Sequence, residues 1–349
     1  MDGIKILIAD SSSVYKKMFT QGVKEVNKNA SVFCASGGEE ALDLIKHSDY
    51  DIIIIDAEIL GSGLSGLLTA IKTEIPKAYI LVTARPSPAN DKLFTEALIK
   101  GAAECMVKHI DDSYGENLDI IKRKIKDIIK VISNDRGDKE TGRAAGPLKV
   151  KEGLKKNKFY PEIVLIAAST GGPSALETVI SKLRGDFPVP VLIVQHIPAY
   201  FTANLGQNLD IKTAIKVKVA ENRETIKAGT VYLAPGGTHM TLDSKNSIWL
   251  DDSPPRSGIR PAADVLFESV AEKFAGSKVL AVILTGMGSD GKDGLIKLKE
   301  KKECFCLTQS EQTCVVYGMP RAVAENGLAD KVVDLDRIAS EIESFIINE

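Results

Sequence analysis

The stretch IVLIAASTGGPSALE, residues 163–177, joins a buried strand to a helix through a tight turn. The unbroken apolar run Ile163–Ala168 suits a parallel strand covered on both faces. Pro173 suits the first turn of a helix, where its missing N–H costs nothing. Gly171 and Gly172 permit a sharp turn and a close approach to backbone. Ser169 therefore stands at a strand end, beside helix N–H groups that favour negative charge. Three readings fit it: a nucleophile with part of an oxyanion hole, a helix cap, or an anion-binding loop. The segment matches neither of the glycine-rich nucleotide fingerprints, nor the G-x-S-x-G elbow.

Outward from this turn the same alternation continues. Downstream, strands are expected at Val189–Gln195, Ile215–Val219, Val231–Ala234, Ser247–Leu250, Val279–Leu284 and Cys304–Thr308, with helices at Pro173–Leu183, Ala262–Phe274 and Asp293–Lys299. That pattern predicts a doubly wound, mostly parallel α/β domain over 159–349. Upstream, apolar runs at Ile4–Ala9, Ile52–Ile55 and Tyr79–Thr83 alternate with helical patterns at Ser13–Asn27, Glu39–His47, Leu64–Thr73 and Asp91–Lys100, and Leu118–Ile132 closes the unit. A first α/β domain with a parallel sheet and right-handed crossovers is expected over 1–132. Between them, SNDRGDKETGRAAGPLKVKEGLKKNK (133–158) has almost no large apolar residues and reads as a flexible linker.

Composition narrows the class. The 349 residues carry 45 Lys plus Arg and 47 Asp plus Glu, a net charge of −2 that argues against nucleic-acid binding by bulk charge. Five cysteines with no C-x-x-C give neither a disulfide framework nor a zinc site. Cys304 and Cys306 alternate on one strand face and read as buried structural residues. No secretory signal and no apolar run of ~18 residues is seen, so no membrane insertion is expected. The expectation is a reduced, cytoplasmic protein.

Chemistry-bearing residues gather at strand ends. There are four histidines, and His196 directly follows VLIVQ, where a general base is needed. His239, after a Gly-Gly turn, is its rival and suits a structural role better. Asp290, in GMGSDG after VLAVILT, is placed to accept from His196 and hold its tautomer. Asp293, Asp264 and Asp252 are rivals, and Asp293 suits a helix N-terminus. In the first domain Asp10, Asp56, Thr83 and Lys108 each close a strand, a set that can hold Mg2+ and contact a phosphoryl group. Pro254, Pro255, Arg256, Arg260 and Pro261, near Trp249, either grip a partner or shape a loop.

The set Asp10, Asp56, Thr83 and Lys108 resembles the receiver domain of response regulators over Ile4–Ile132. The resemblance implies a flavodoxin-like five-stranded parallel sheet, Asp56 as phospho-acceptor, Asp10 and Asp56 at Mg2+, and Thr83 and Lys108 as switch hydroxyl and phosphate-contacting lysine. Ser11 stands where a second acid is usual, Ala57–Gly66 lacks the usual proline, and His109 replaces another proline. These departures imply weaker Mg2+ binding and slow or absent phosphorylation. Downstream, ASTGG (168–172), QHIP (195–198), YLAPGGTHM (232–240), RPAADVLF (260–267), LTGMGSDG (284–291) and VVYGMPRA (315–322) resemble the CheB family of chemotaxis protein-glutamate methylesterases. Ala168 departs from a usual glycine.

The resemblance implies Ser169 as nucleophile, His196 as base and then acid, Asp290 as orienter, Thr170 beside the histidine, and Met287 N–H at the oxyanion. It implies hydrolysis of glutamyl methyl esters on methyl-accepting chemotaxis receptors, deamidation of receptor glutamines, and a chemotaxis histidine kinase as phosphodonor. Hydrolysis needs no cofactor. Two other readings stay open: a non-catalytic anion- or ligand-binding module behind a receiver, and an esterase whose receiver is never phosphorylated.

Overall fold

The computed structural model describes residues 3–59, 63–109, 111–140 and 159–346, with backbone alone at 88 and 134–140. The chain divides into two units, Met1–Ala144 and Ala145–Glu349. In the first unit the strands are β1 (Lys5–Ala9), β2 (Ser31–Ala35), β3 (Ile52–Asp56), β4 (Tyr79–Ala84) and β5 (Glu104–Val107). They form one parallel sheet in the order β2-β1-β3-β4-β5. Helices α1 (Ser13–Val26), α2 (Gly38–His47), α3 (Leu64–Glu74), α4 (Pro88–Ile99) and α5 (Tyr114–Glu140) connect and close it. This is the doubly wound order expected of a receiver-type unit.

Local chemistry explains several boundaries. Ser12 caps α1 by accepting from Tyr15 N, and Ser87 caps α4 by accepting from Asn90 N, with Pro88 in the first turn. Strand β3 is wholly buried, as its isoleucine run predicts. Strand β2 is absent from the expectations, because its SVFCA lies at the sheet edge and exposes most of its residues. Helix α5 runs to Glu140, so the start of the expected 133–158 linker is helical. Residues 141–158 of that linker, and the tip of the Ala57–Gly66 loop at 60–62, lie outside the described residues.

The second unit carries β6 (Ile163–Ala168), β7 (Val191–Gln195), β8 (Lys216–Val219), β9 (Thr230–Leu233), β10 (His239–Leu242), β11 (Ile248–Asp251), β12 (Lys278–Ile283), β13 (Glu303–Gln309) and β14 (Lys331–Val333). Its helices are α6 (Gly172–Ile180), α7 (Ala199–Lys212), α8 (Ala263–Lys273), α9 (Lys292–Lys301), α10 (Met319–Glu325) and α11 (Leu335–Ser344). Seven strands form a sheet in the order β14-β13-β12-β6-β7-β9-β8, and every pairing in it is parallel. The expected Ser247–Leu250 strand belongs instead to a separate antiparallel hairpin, β10–β11. One sheet face packs Leu165, Ala167, Leu192, Val194, Ala281, Ile283 and Cys306 against Leu266, Phe267, Leu295 and Met319.

Sheet order determines where a site can form. From β6 the chain works outward through β7 to β9 and β8, then returns to lay β12 on the other flank of β6. The reversal opens a crevice at the carboxyl ends of β6 and β12. In the first unit the corresponding reversal lies between β1 and β3.

Candidate active site

Ser169 follows β6, His196 follows β7, and Asp290 lies in the loop after β12. The three come from adjacent strands, although His196 and Asp290 are 94 residues apart in the chain. His196 Nε2 and Asp290 Oδ2 are 2.8 Å apart, with 13% and 5% of the two side chains exposed. An ionised Asp290 only accepts, so Nε2 donates to it, and in the neutral imidazole Nδ1 is the nitrogen that carries the lone pair.

Asp290 is held from a second side. Its Oδ2 accepts from Ala263 N at 2.6 Å and its Oδ1 from Asp264 N at 3.0 Å, so the carboxylate satisfies the first turn of α8. Burial pushes this carboxyl up, but His196 and the two backbone donors outweigh it and hold Asp290 below the usual carboxylate range. Asp264 returns the interaction: its Oδ1 accepts from Gly294 N of α9 at 2.7 Å. The Asp264 carboxyl is pushed up to about 6, first by burial and then by the charges of Asp290 and Asp293. His239 is fully buried and structural, accepting from Ala262 N at Nδ1 and donating from Nε2 to Pro254 O.

The nucleophile turn is pinned by main-chain bonds. Ser169 N donates to Thr285 O (3.0 Å), and Gly172 N donates to Ser169 O (2.8 Å). The Thr285 hydroxyl donates to Thr170 O and accepts from Val315 N and Val316 N, tying three loops together. Gly286 lies directly against the turn, since a Cβ there would meet Ser169 Cβ at 2.7 Å and Met319 Sδ at 2.4 Å. The Met287 N–H and the Thr170 and Ser169 hydroxyls have no hydrogen-bond partner among the described residues. Sequence reasoning missed Thr285, whose only signal is a polar residue ending the apolar strand VLAVIL.

The flanking arginines shape loops. Arg256 pairs with Glu268 at 3.0 Å, while Arg260 donates to the carbonyls of Asp252 and Ser253. Asp293 stands in the first turn of α9. Cys304 and Cys306 are buried, and burial pushes the Cys304 thiol up to about 12.

In the first unit Asp10, Asp56, Thr83 and Lys108 are all buried at the strand ends. Lys108 Nζ lies 2.7 Å from Asp10 Oδ2 and 3.1 Å from Asp56 Oδ2. Ser11 Oγ is 3.4 Å from Asp56 Oδ2, and Thr83 makes a long 3.5 Å contact with Ile55 O. Burial pushes the Asp10 carboxyl up against the pull of Lys108. Glu58 accepts from Arg85 and Asn90 beside this cluster.

Fold and geometry together define the class, an α/β hydrolytic domain preceded by a receiver-type unit. The CheB methylesterase family model matches residues 164–342. A protein-glutamate methylesterase/protein-glutamine glutaminase of Desulfotalea psychrophila is 35% identical, with 98% of each chain covered. Its counterpart from Geobacillus kaustophilus is 37% identical, with 99% of each covered. The crystal structure of the Thermotoga maritima CheB methylesterase catalytic domain superposes with a TM-score of 0.50 at 41% identity, covering 52% of this chain and 97% of that one. The chain belongs to the CheB methylesterase family.

Proposed function

We propose that this chain is a protein-glutamate methylesterase and protein-glutamine glutaminase acting on methyl-accepting chemotaxis receptors in the cytoplasm. The observation that carries the catalytic assignment is the His196 Nε2–Asp290 Oδ2 bond at 2.8 Å beside the Ser169 turn. It commits Nε2 and leaves Nδ1 as the base. Ser169 Oγ attacks the ester carbonyl and passes its proton to His196 Nδ1. The carbonyl oxygen takes up negative charge, for which the Met287 N–H, without a partner among the described residues, is a donor. The imidazolium gives its proton to the leaving methoxide, and methanol departs. Water, deprotonated by His196, then attacks the acyl-serine; the imidazolium returns the proton to the departing Ser169 Oγ, and the released glutamic acid ionises to the carboxylate. With a glutamine, ammonia replaces methanol. Asp290, already ionised and held by three donors, stabilises the imidazolium without reorganising.

Asp56 is the phospho-acceptor in this reading, with a chemotaxis histidine kinase as donor. The donor set fits a weakly held Mg2+: Asp10 and Asp56 supply two carboxylates, Ser11 offers only a neutral hydroxyl, and Lys108 already offsets their charge. The ion would neutralise phosphoryl oxygens there. The Lys108 bridge also favours a second reading, in which the esterase receiver is not phosphorylated.

Methanol release from methylated receptor tests the assignment. Ser169→Ala is expected to lower the rate by on the order of 10³-fold or more. Undiminished release from Ser169→Ala would return the Ser169 turn to an anion-binding role.

A further inference from the structure

We infer that Gln195 is a positioning residue that ties the nucleophile-bearing peptide to the base-bearing peptide; this rests on the serine-hydrolase reading above. Gln195 is the last residue of β7, and 2% of it is exposed. Its Nε2 donates to Ser169 O at 2.9 Å and to His196 O at 3.0 Å. Both N–H groups of one planar amide are therefore spent on the carbonyls of the two residues that must meet.

The backbone ladder does not do this itself. Its last rung between β6 and β7 is His196 N to Ala168 O, and both carbonyls that Gln195 holds lie beyond it. Ser169 O takes a second donor, Gly172 N, at 2.8 Å, so the turn's carbonyl is held from two directions. The far end of the amide is built in at a cost. Gln195 Oε1 is buried with no partner among the described residues, and a Cβ on residue 172 would fall 1.9 Å from it, so a side chain there would displace the amide. A methionine would fill this space without a stranded acceptor. A buried amide that strands its oxygen while both N–H groups hold the reacting pair points to geometry rather than stability. Small displacements at such a site cost about 10–100-fold in rate.

The test uses the full chain and an alkyl fluorophosphonate, which forms an O–P bond with a serine Oγ. Fluoride leaves, and the serine proton goes to the base. Labelling of wild type that is lost in Ser169→Ala is expected and establishes the reactive serine. Gln195→Met is expected to label about 10–100-fold more slowly while melting at or above the wild-type temperature. Gln195→Glu can donate only while protonated. Its rate relative to wild type is expected to fall at least tenfold between pH 5.5 and 8.5, a trend that Gln195→Met lacks. Labelling of Gln195→Met within twofold of wild type, or a Gln195→Glu ratio that does not change with pH, would overturn the positioning role. An unlabelled wild type would instead remove the nucleophile assignment and this inference with it.

Discussion

A neutral hydroxyl at Ser11, where an acid would add a charge, sets the character of the first unit's site. Two carboxylates there are already bridged by Lys108, at 2.7 and 3.1 Å, so an arriving dication gains little unscreened negative charge. Ser11→Asp adds a third carboxylate beside Asp56 and is expected to tighten Mg2+ binding by about tenfold or more, an order-of-magnitude figure from the dependence of such sites on ligand charge. Calorimetric titration of Mg2+ into the two proteins reads this without reference to phosphorylation, and equal affinities would show that the hydroxyl is not what weakens the site. In the second unit the informative residue is Asp290. It answers three N–H donors at once, which explains how a buried carboxylate stays ionised.

At the scale of elements, α8 and α9 stabilise each other's first turns. Asp290, just before α9, accepts from the start of α8, and Asp264 of α8 accepts from Gly294 of α9. The exchange brings two carboxyls close, and the Asp264 carboxyl is pushed up to about 6 by burial and by its acidic neighbours. An unfolded aspartate ionises near 4, so between roughly pH 4 and 6 the folded state binds the extra proton. Stability from this group is therefore lost as pH rises through that window. Asp264→Asn keeps an acceptor for Gly294 N and removes the charge. It should flatten the slope and raise stability at pH 7 by on the order of 2 kcal/mol. Urea unfolding of both proteins at pH 4.5 and 7 measures this; parallel curves would show that Asp264 is not the group. The edges follow the same physics. Strand β8 alternates Lys216 and Lys218 with apolar residues, which blunts an open sheet edge.

Across the whole molecule, two units each carry a buried sheet, and each places its polar cluster where the strand order reverses. A unit with its own core is expected to fold alone. Residues 159–349 expressed without the first unit should unfold in one cooperative transition. They should also hydrolyse methylated receptor in a Ser169-dependent way, with a rate that a small phosphodonor and Mg2+ leave unchanged. A phosphodonor effect confined to the full-length chain would assign control to the first unit. Loss of cooperative unfolding in the fragment would show that the second unit depends on the first.

Local pattern alone marked out the strand–helix alternation, the Ser169 turn and the polar groups at strand ends. Each of these is written within a few consecutive residues: an apolar run, a proline in a first turn, glycines after a strand. The edge strands β2 and β14 escaped because half-exposed strands carry no continuous apolar run. The reach of α5 escaped because the polar stretch SNDRGDKE, with Gly137 and no apolar residue, reads as linker when nothing local says that a helix continues through it. Tertiary structure alone decided the rest. The sequence already favoured Asp290 among four acids, but its bond to His196 exists only because β12 lies on one flank of β6 and β7 on the other, and the contacts of Asp264 with α9 and of His239 with the start of α8 are likewise tertiary. The Nε2 tautomer of His196 and the two carbonyls on Gln195 depend on partners brought together by sheet order. A hydrogen bond between residues 94 positions apart has no signature in any local window, because its geometry exists only once the strands between them have paired.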